Sequence, residues 1–333
     1  MARIHLSALA LAGACFAMVL RSEAASFQED FSSNPAGRGW QAVGDTNLFH
    51  WNSSGQDLDV TWDSSRPNSY YCRSLGTILT TNDDFSVAFD LQLSQIAAGF
   101  DPQKTGPFGL SIGFLNLAVA SRTNFLRGTG YDSPMLAEFS FFPDPGGSWI
   151  YGPSLTSVLI DSSGTNWSTG GFSGDTLTSN DVYHVTLTYT AANQTFHTVI
   201  LSNGVPYSSP SDAHPVPGFQ DFRLDHFSIS SYSDAGQDPF FAGSLYARGT
   251  VKNVSVTTPP APVSNVIGGF ISGVWLVKLS SLANWVYTLQ RSTDLHNWTA
   301  VGASVLGNGG TLILQDAAAP GGGAVYRVQA ARP

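Results

Sequence analysis

Only 12% of the 333 residues are Asp, Glu, Lys or Arg, and 24 acidic residues outnumber 15 basic ones. Binding that tracks a phosphate backbone needs clustered Lys and Arg; Lys104, Lys252 and Lys278 stand far apart, and nucleic acid is excluded as a partner. Abundant Gly, Ser, Thr, Asn and aromatic residues, with little Glu, Lys or Met, favour strands joined by irregular turns over helices.

Residues 1–25 have the layout of a secretory signal. Arg3 forms a short positive start, Ile4 to Leu20 an apolar stretch, and Ser22-Glu23-Ala24 supplies small residues for cleavage. The stretch is too short and too early for a membrane span, so an exported chain without a transmembrane anchor is expected. Cys15 leaves with the signal and Cys72 remains alone; no intramolecular disulfide is expected, and Cys72 reads as a buried structural residue. Loss of Arg3, Arg21 and Glu23 leaves 13 basic and 23 acidic residues, a net charge of about −10.

The main body, residues 26–257, reads as a single all-β domain. Phe85 to Leu93 alternates apolar and polar residues strictly, as does Tyr183 to Tyr189, the period of half-buried strands. Ala191 to Gln194 supply a turn, Thr195 to Leu201 a partner strand, and Asn203-Gly204 a strong turn dipeptide. Phe108 to Ala120 is more continuously apolar and is expected as a strand buried on both sides. Many short strands separated by turn signals indicate a sandwich or jelly roll.

A Pro-rich linker, residues 258–265, follows. Residues 266–333 read as a small C-terminal β domain, with strands expected over Phe270 to Leu279, Trp285 to Arg291, Trp298 to Val301, Thr311 to Gln315 and Val325 to Ala330.

Leu136-Ala137-Glu138-Phe139-Ser140-Phe141-Phe142-Pro143-Asp144 is similar to a legume-lectin strand that leads into a metal-binding loop. The Tyr183 to Leu201 hairpin resembles a lectin hairpin, and Phe27 to Phe31 with Gly249 to Val256 resemble the paired terminal strands of such folds. On these residues the body resembles the concanavalin A-like lectin/glucanase superfamily, within a group of exported bacterial proteins. The resemblance implies a jelly-roll β-sandwich and covers most of residues 26–257. Tyr287 to Leu295, Trp298 and Tyr326-Arg327-Val328 resemble a small accessory β module at the ends of exported bacterial proteins.

Carried over residue by residue, the family's two-metal site, which holds a transition metal and calcium, would use Glu138, the Phe142 carbonyl and Asp144. Ser140 stands where the family has its bridging Asp, which puts the two-metal site in doubt, since calcium wants six to eight oxygens. Ser233 to Asp238, and Glu29 or Asp30 with Asn253, offer further oxygen-rich spots, read first as turn chemistry.

Glycan hydrolysis requires two positioned carboxyl groups. Beyond the signal the only glutamates are Glu29 and Glu138, and the paired-Glu strand motif of the family's glycanases is absent; an Asp-based pair stays open. Gly109-Leu110-Ser111-Ile112-Gly113 matches a nucleophile-elbow pattern, which works only on a sharp strand-to-helix turn; here the run continues as strand. Arg127-Gly128-Thr129-Gly130 reads as a plain glycine-bearing loop.

Aromatic rings on loops remain. Sugars stack their C–H faces on Trp and Tyr, and loops carry function more often than strands. Trp149 and Tyr151, with Asn166 and Trp167 in a second loop, are the carbohydrate-binding candidates; Trp40, Trp51 and Trp62 read as core. The expectation is an exported, non-catalytic protein that binds polysaccharide or a surface glycan, or acts in surface adhesion. The alternatives are an atypical glycoside hydrolase or polysaccharide lyase of the same fold, and a structural surface protein without a small ligand.

Overall fold

The computed structural model describes residues 26–127, 133–147, 152–170, 174–207, 211–320 and 323–332, with only the backbone described for Trp167 and Ser211. The chain divides into two compact units, one spanning Ala24–Pro260 and one containing Ala261–Pro333.

The larger unit begins with β1 (Phe27–Glu29), β2 (Trp40–Val43), β3 (Phe49–Asn52), β4 (Asp57–Asp63) and β5 (Ser69–Leu79). It continues with β6 (Phe85–Ala98), β7 (Gly106–Pro107), β8 (Leu110–Leu115), a helical turn α1 (Leu117–Ala120), β9 (Leu136–Phe142) and β10 (Ser154–Ile160). Then come β11 (Trp167–Thr169), β12 (Val182–Thr190), β13 (Thr195–Ser202), β14 (Val205–Pro206), β15 (Ser211–Ala213), β16 (Leu224–Ser231) and β17 (Gly243–Thr257). One sheet runs β14-β13-β12-β6-β17-β4-β3, with β1 and β7 on β17 and β15 on β13; the other runs β11-β10-β9-β8-β16-β5-β2. All these pairings are antiparallel except β7 with β17. Two stacked antiparallel sheets with interleaved order, and with the first and last strands paired (Phe27 opposite Val256, Glu29 opposite Val254), make the unit an all-β jelly roll.

Strict alternation in β4 and β12 puts every second side chain in the core, because successive residues of a strand face opposite ways. The core is aromatic at its centre: Phe85 stacks on Tyr189 at 5.0 Å and meets Phe114 edge-on at 5.0 Å, geometries that ring quadrupoles favour. Trp40 and Trp62 are buried, and Trp51 packs against the core with its indole N–H donating to the Phe31 carbonyl at 2.9 Å. Cys72 is buried and free.

The strand expected over Phe108 to Ala120 is shorter. β8 stops at Leu115, where Asn116 caps a helical turn by accepting from the Val119 N–H at 3.1 Å; a side-chain cap of this kind is what Asn supplies at a helix start.

The smaller unit holds β18 (Ser264–Ile271), β19 (Val274–Ser280), β20 (Val286–Ser292), β21 (Thr299–Ala300), β22 (Val305–Leu306), β23 (Thr311–Asp316) and β24 (Val325–Ala331). They form sheets β18-β19-β23 and β21-β20-β22, with β24 on β20. The single strand expected over Phe270 to Leu279 is instead a hairpin, because Ser272 and Gly273 both take positive φ (51° and 84°), the backbone of a two-residue turn that matches strand twist.

Candidate functional site

The outward face of the seven-stranded sheet carries the strand that the sequence singled out. Phe139 and Phe141 of β9 point into the core, Phe139 meeting Phe89 edge-on at 6.2 Å, so Glu138 and Ser140 point the other way. Across the neighbouring strands Ser140 lies opposite Ser111 and Thr156, Ser111 opposite Ser230, and Ser230 opposite Tyr70. This row of hydroxyls is buried and hydrogen-bonded: Ser111 and Ser140 pair at 2.9 Å, Ser230 pairs with Ser228 at 2.9 Å, and Thr156 donates to backbone carbonyls.

Glu138 sits in that layer opposite Gly113, where a Cβ would come within 2.4 Å of Glu138 Cα; only glycine lets the two backbones approach so closely. The carboxylate is 2% exposed. Arg127 Nε donates to Oε1 at 3.0 Å and Tyr232 OH to Oε2 at 2.8 Å. Burial, and next the Glu138 charge, push the Tyr232 phenol well above its ordinary pKa, which keeps it a donor. Tyr70, raised by burial and then by the same carboxylate, donates to the Ala120 carbonyl at 2.8 Å. Asn68 donates to the Phe125 carbonyl at 2.9 Å. These two bonds lay the α1 segment over the outward face and deliver Arg127 to Glu138.

A calcium ion does not fit these residues. Both oxygens of Glu138 are engaged, one by a guanidinium that would repel a second cation. Among the described residues no group of three or more His, Cys, Asp or Glu is placed to hold a metal. Asp144 is buried, and its carbonyl accepts from the Gly147 N–H at 3.1 Å to close a turn. The other oxygen-rich spots are also in use. Asp234 binds Lys104 Nζ at 2.5 Å and Ser64 Oγ at 2.8 Å, and Asp238 caps a turn at Phe240 N, 2.8 Å away. Glu29 pairs with Arg38, and Asn253 donates to Asp90 at 2.7 Å.

Nor is Ser111 placed as an elbow nucleophile. The hydroxyl of Ser111 has another hydroxyl as its partner, not a base, and α1 begins only at Leu117. A different acid pair lies on the outward face of the ten-stranded sheet. Asp57 and Asp59 project from the same side of β4, and burial, then the Asp59 charge, raises the Asp57 pKa. A carboxyl with a raised pKa beside a second carboxyl is one arrangement from which an acid–base pair can be built.

Of the ring-bearing candidates, Trp149 and Tyr151 lie outside the described residues, in the connection between β9 and β10. Asn166 and Trp167 follow the other end of β10, where Trp167 pairs with Ile160. Antiparallel pairing of Leu136 with Ile160 and Phe142 with Ser154 puts the bases of these two connections at opposite ends of seven-residue strands, about 20 Å apart. Asn166 is part of its own loop's frame, donating to Asp161 Oδ2 and to the Gly218 carbonyl, each at 3.0 Å. Asp161 also accepts from the N–H groups of Ser163, Gly164 and Gln220 and from the Ser163 hydroxyl. Burial works against this carboxylate, but the bonds from Ser163, Gln220 and Asn166 outweigh it and hold the pKa below the usual range. Arg127, Tyr232 and Tyr70 were missed in the sequence, where no spacing ties them to Glu138.

No family model matches the chain, and no curated protein matches its sequence. Among solved structures it is similar to a Lotus tetragonolobus seed lectin, at 12% identity and a TM-score of 0.44 over 71% of this chain and 98% of that one. A winged bean acidic lectin complexed with methyl-alpha-D-galactose is similar at 11% identity and 0.40, over 71% and 99%. A PL-14 alginate lyase from Aplysia kurodai is similar at 12% and 0.38, over 66% and 90%. The jelly roll itself rests on the strand pairing. Among the described residues no helix is long and apolar enough to cross a membrane.

Proposed function

We propose that this is an exported, non-catalytic protein that holds a polysaccharide or surface glycan through the two ring-bearing connections at opposite ends of β9 and β10. The observation that carries the reading is the placement of the two ring-bearing connections. Rooted about 20 Å apart by the length of β9 and β10, they suit a chain several sugar rings long better than a single sugar. Glu138 has both carboxylate oxygens engaged, one by Arg127 and one by Tyr232. That favours retention over cleavage on the outward face of the seven-stranded sheet. Residues 1–25 act as the export signal in this reading, and the C-terminal unit is accessory.

A second reading, an atypical glycan hydrolase, is favoured by the Asp57 and Asp59 pair alone. The test is retention of the purified protein on a glycan array with and without chelator, alongside chromatography of the eluted glycans. Retention of long chains that survives chelation, with no shortened product, is the expected result. Shortened oligosaccharides abolished by Asp57→Asn would replace it with the hydrolase, and no retention of any glycan would leave a structural surface protein.

A further inference from the structure

Strand β18, at the edge of the three-stranded sheet of the C-terminal unit, is unlike the edges of the sandwich. There the edge strands are short: β2 and β3 have four residues each, β11 three, and β14 two, including Pro206. β18 has eight, Ser264–Ile271, with no charge and no proline. Val266, Ile267, Phe270 and Ile271 are 41–67% exposed. An unguarded apolar edge of this length is a template for another strand.

The sequence of this edge is complementary to itself. Two antiparallel strands related by a two-fold axis perpendicular to their sheet keep paired residues on one face, so the axis passes through a residue rather than between two. With the axis at Gly269, Ile267 of each copy faces Ile271 of the other, and Phe270 faces Gly268. Ile267 and Ile271 share a face, set by their partners Lys278 and Val274 across β19; four isoleucines would form one continuous patch there. On the other face Phe270 leans on Trp275 at 5.3 Å, and its ring would cross the partner's Gly268, over which the Trp275 ring of that copy lies. Moving the axis to Gly268 instead sets Ile271 against Asn265 and Ile267 against glycine.

We propose that β18 pairs with β18 of a second copy about a two-fold axis at Gly269, so that the chain dimerises through its C-terminal unit. The contact is isologous and closes, joining two sheets of three strands into one of six.

The test combines sedimentation of the full exported chain over a range of concentrations with a cysteine placed on the axis. A Cβ at Gly269 meets nothing within 4 Å, so Gly269→Cys is tolerated. Cα atoms of directly paired antiparallel residues lie about 4.5–5.5 Å apart, within reach of a disulfide. Mild oxidation is expected to link Gly269→Cys into dimers well before an exposed control on the same unit, Ala303→Cys. Ile267→Lys, which sets an ammonium against the partner's Ile271, is expected to sediment as a monomer with an unchanged melting temperature. A monomer at every concentration, or Gly269→Cys linking no faster than Ala303→Cys, overturns the proposal. So does a dimer that survives Ile267→Lys. If Ile267→Lys does not fold, the cross-linking rates decide alone.

Discussion

Arg127 reaches Glu138 across eleven residues of chain to place Nε 3.0 Å from Oε1, a guanidinium 12% exposed against a carboxylate 2% exposed. The pair neutralises the one glutamate of the larger unit's outward hydroxyl layer. It also fastens the segment after α1 to the sheet.

Removing one member of a buried ion pair strands the other. Arg127→Ala is expected to cost about 3 kcal/mol, the lower end for such pairs because the arginine is not fully enclosed. Glu138→Gln keeps the acceptor for Tyr232 and should cost less, and the double substitution should recover part of the loss. Denaturant melts of the three variants measure this; purely additive losses would show that the two side chains do not interact.

Asp161 gathers the loop that ends in Trp167. Asp161→Ala is expected to cost about 1–2 kcal/mol, because it leaves the buried Gly164 N–H and several partly exposed donors without their acceptor. The folded carboxylate has a depressed pKa, so its stabilisation is complete above the unfolded carboxylate value and fades as pH falls through the folded one. Acid melts of the wild type should therefore lose stability that Asp161→Ala never had, and the two curves should converge at low pH.

Asp57 titrates in the opposite sense. Its folded pKa is raised, by burial and then by Asp59, so its contribution is most favourable when the group is protonated and falls away as pH rises through that pKa. Asp59→Asn is expected to lower the Asp57 pKa, read by carboxyl NMR, with a stability change within about 0.5 kcal/mol, as for surface substitutions. An unmoved titration would show that the two carboxyls do not sense each other.

The Cys72 thiol, pushed up to about 12 by burial, is almost wholly protonated at neutral pH, and the thiolate is the reactive form. Native protein should resist alkylation at pH 8, and denatured protein should take up label at this site. Rapid native labelling would place Cys72 at the surface.

Trp149→Ala and Trp167→Ala probe the two ends of the proposed glycan track. Each alone should weaken retention of long glycans, and the pair should abolish it with little change in melting temperature. Short oligosaccharides should respond to one substitution and ignore the other. A large fall in stability would assign these rings to packing.

The strands were legible wherever a single period ran unbroken. Tyr183 to Leu201 shows its hairpin in the spelling, and the structure pairs Tyr189 with Phe196 around the expected turn. Legibility failed where one residue redirected the backbone. Asn116 turned an apolar run into a capped helical turn, and Ser272-Gly273 split one expected strand into two. Both are local signals that the surrounding apolar residues outweighed in the reading.

What the chain's own order determined is therefore its class: alternation is a property of neighbouring residues, and it specifies which side of each strand meets the core. The partners of Glu138 were decided only in three dimensions. Tyr232 lies 94 positions away, and Arg127 arrives because Tyr70 and Asn68 pin the segment before it. Likewise, the placement of Asn166 and Trp167 at one end of β10, with the connection holding Trp149 and Tyr151 rooted at the other, follows from antiparallel pairing. Sheet register joins distant segments, and no spacing along a chain encodes it.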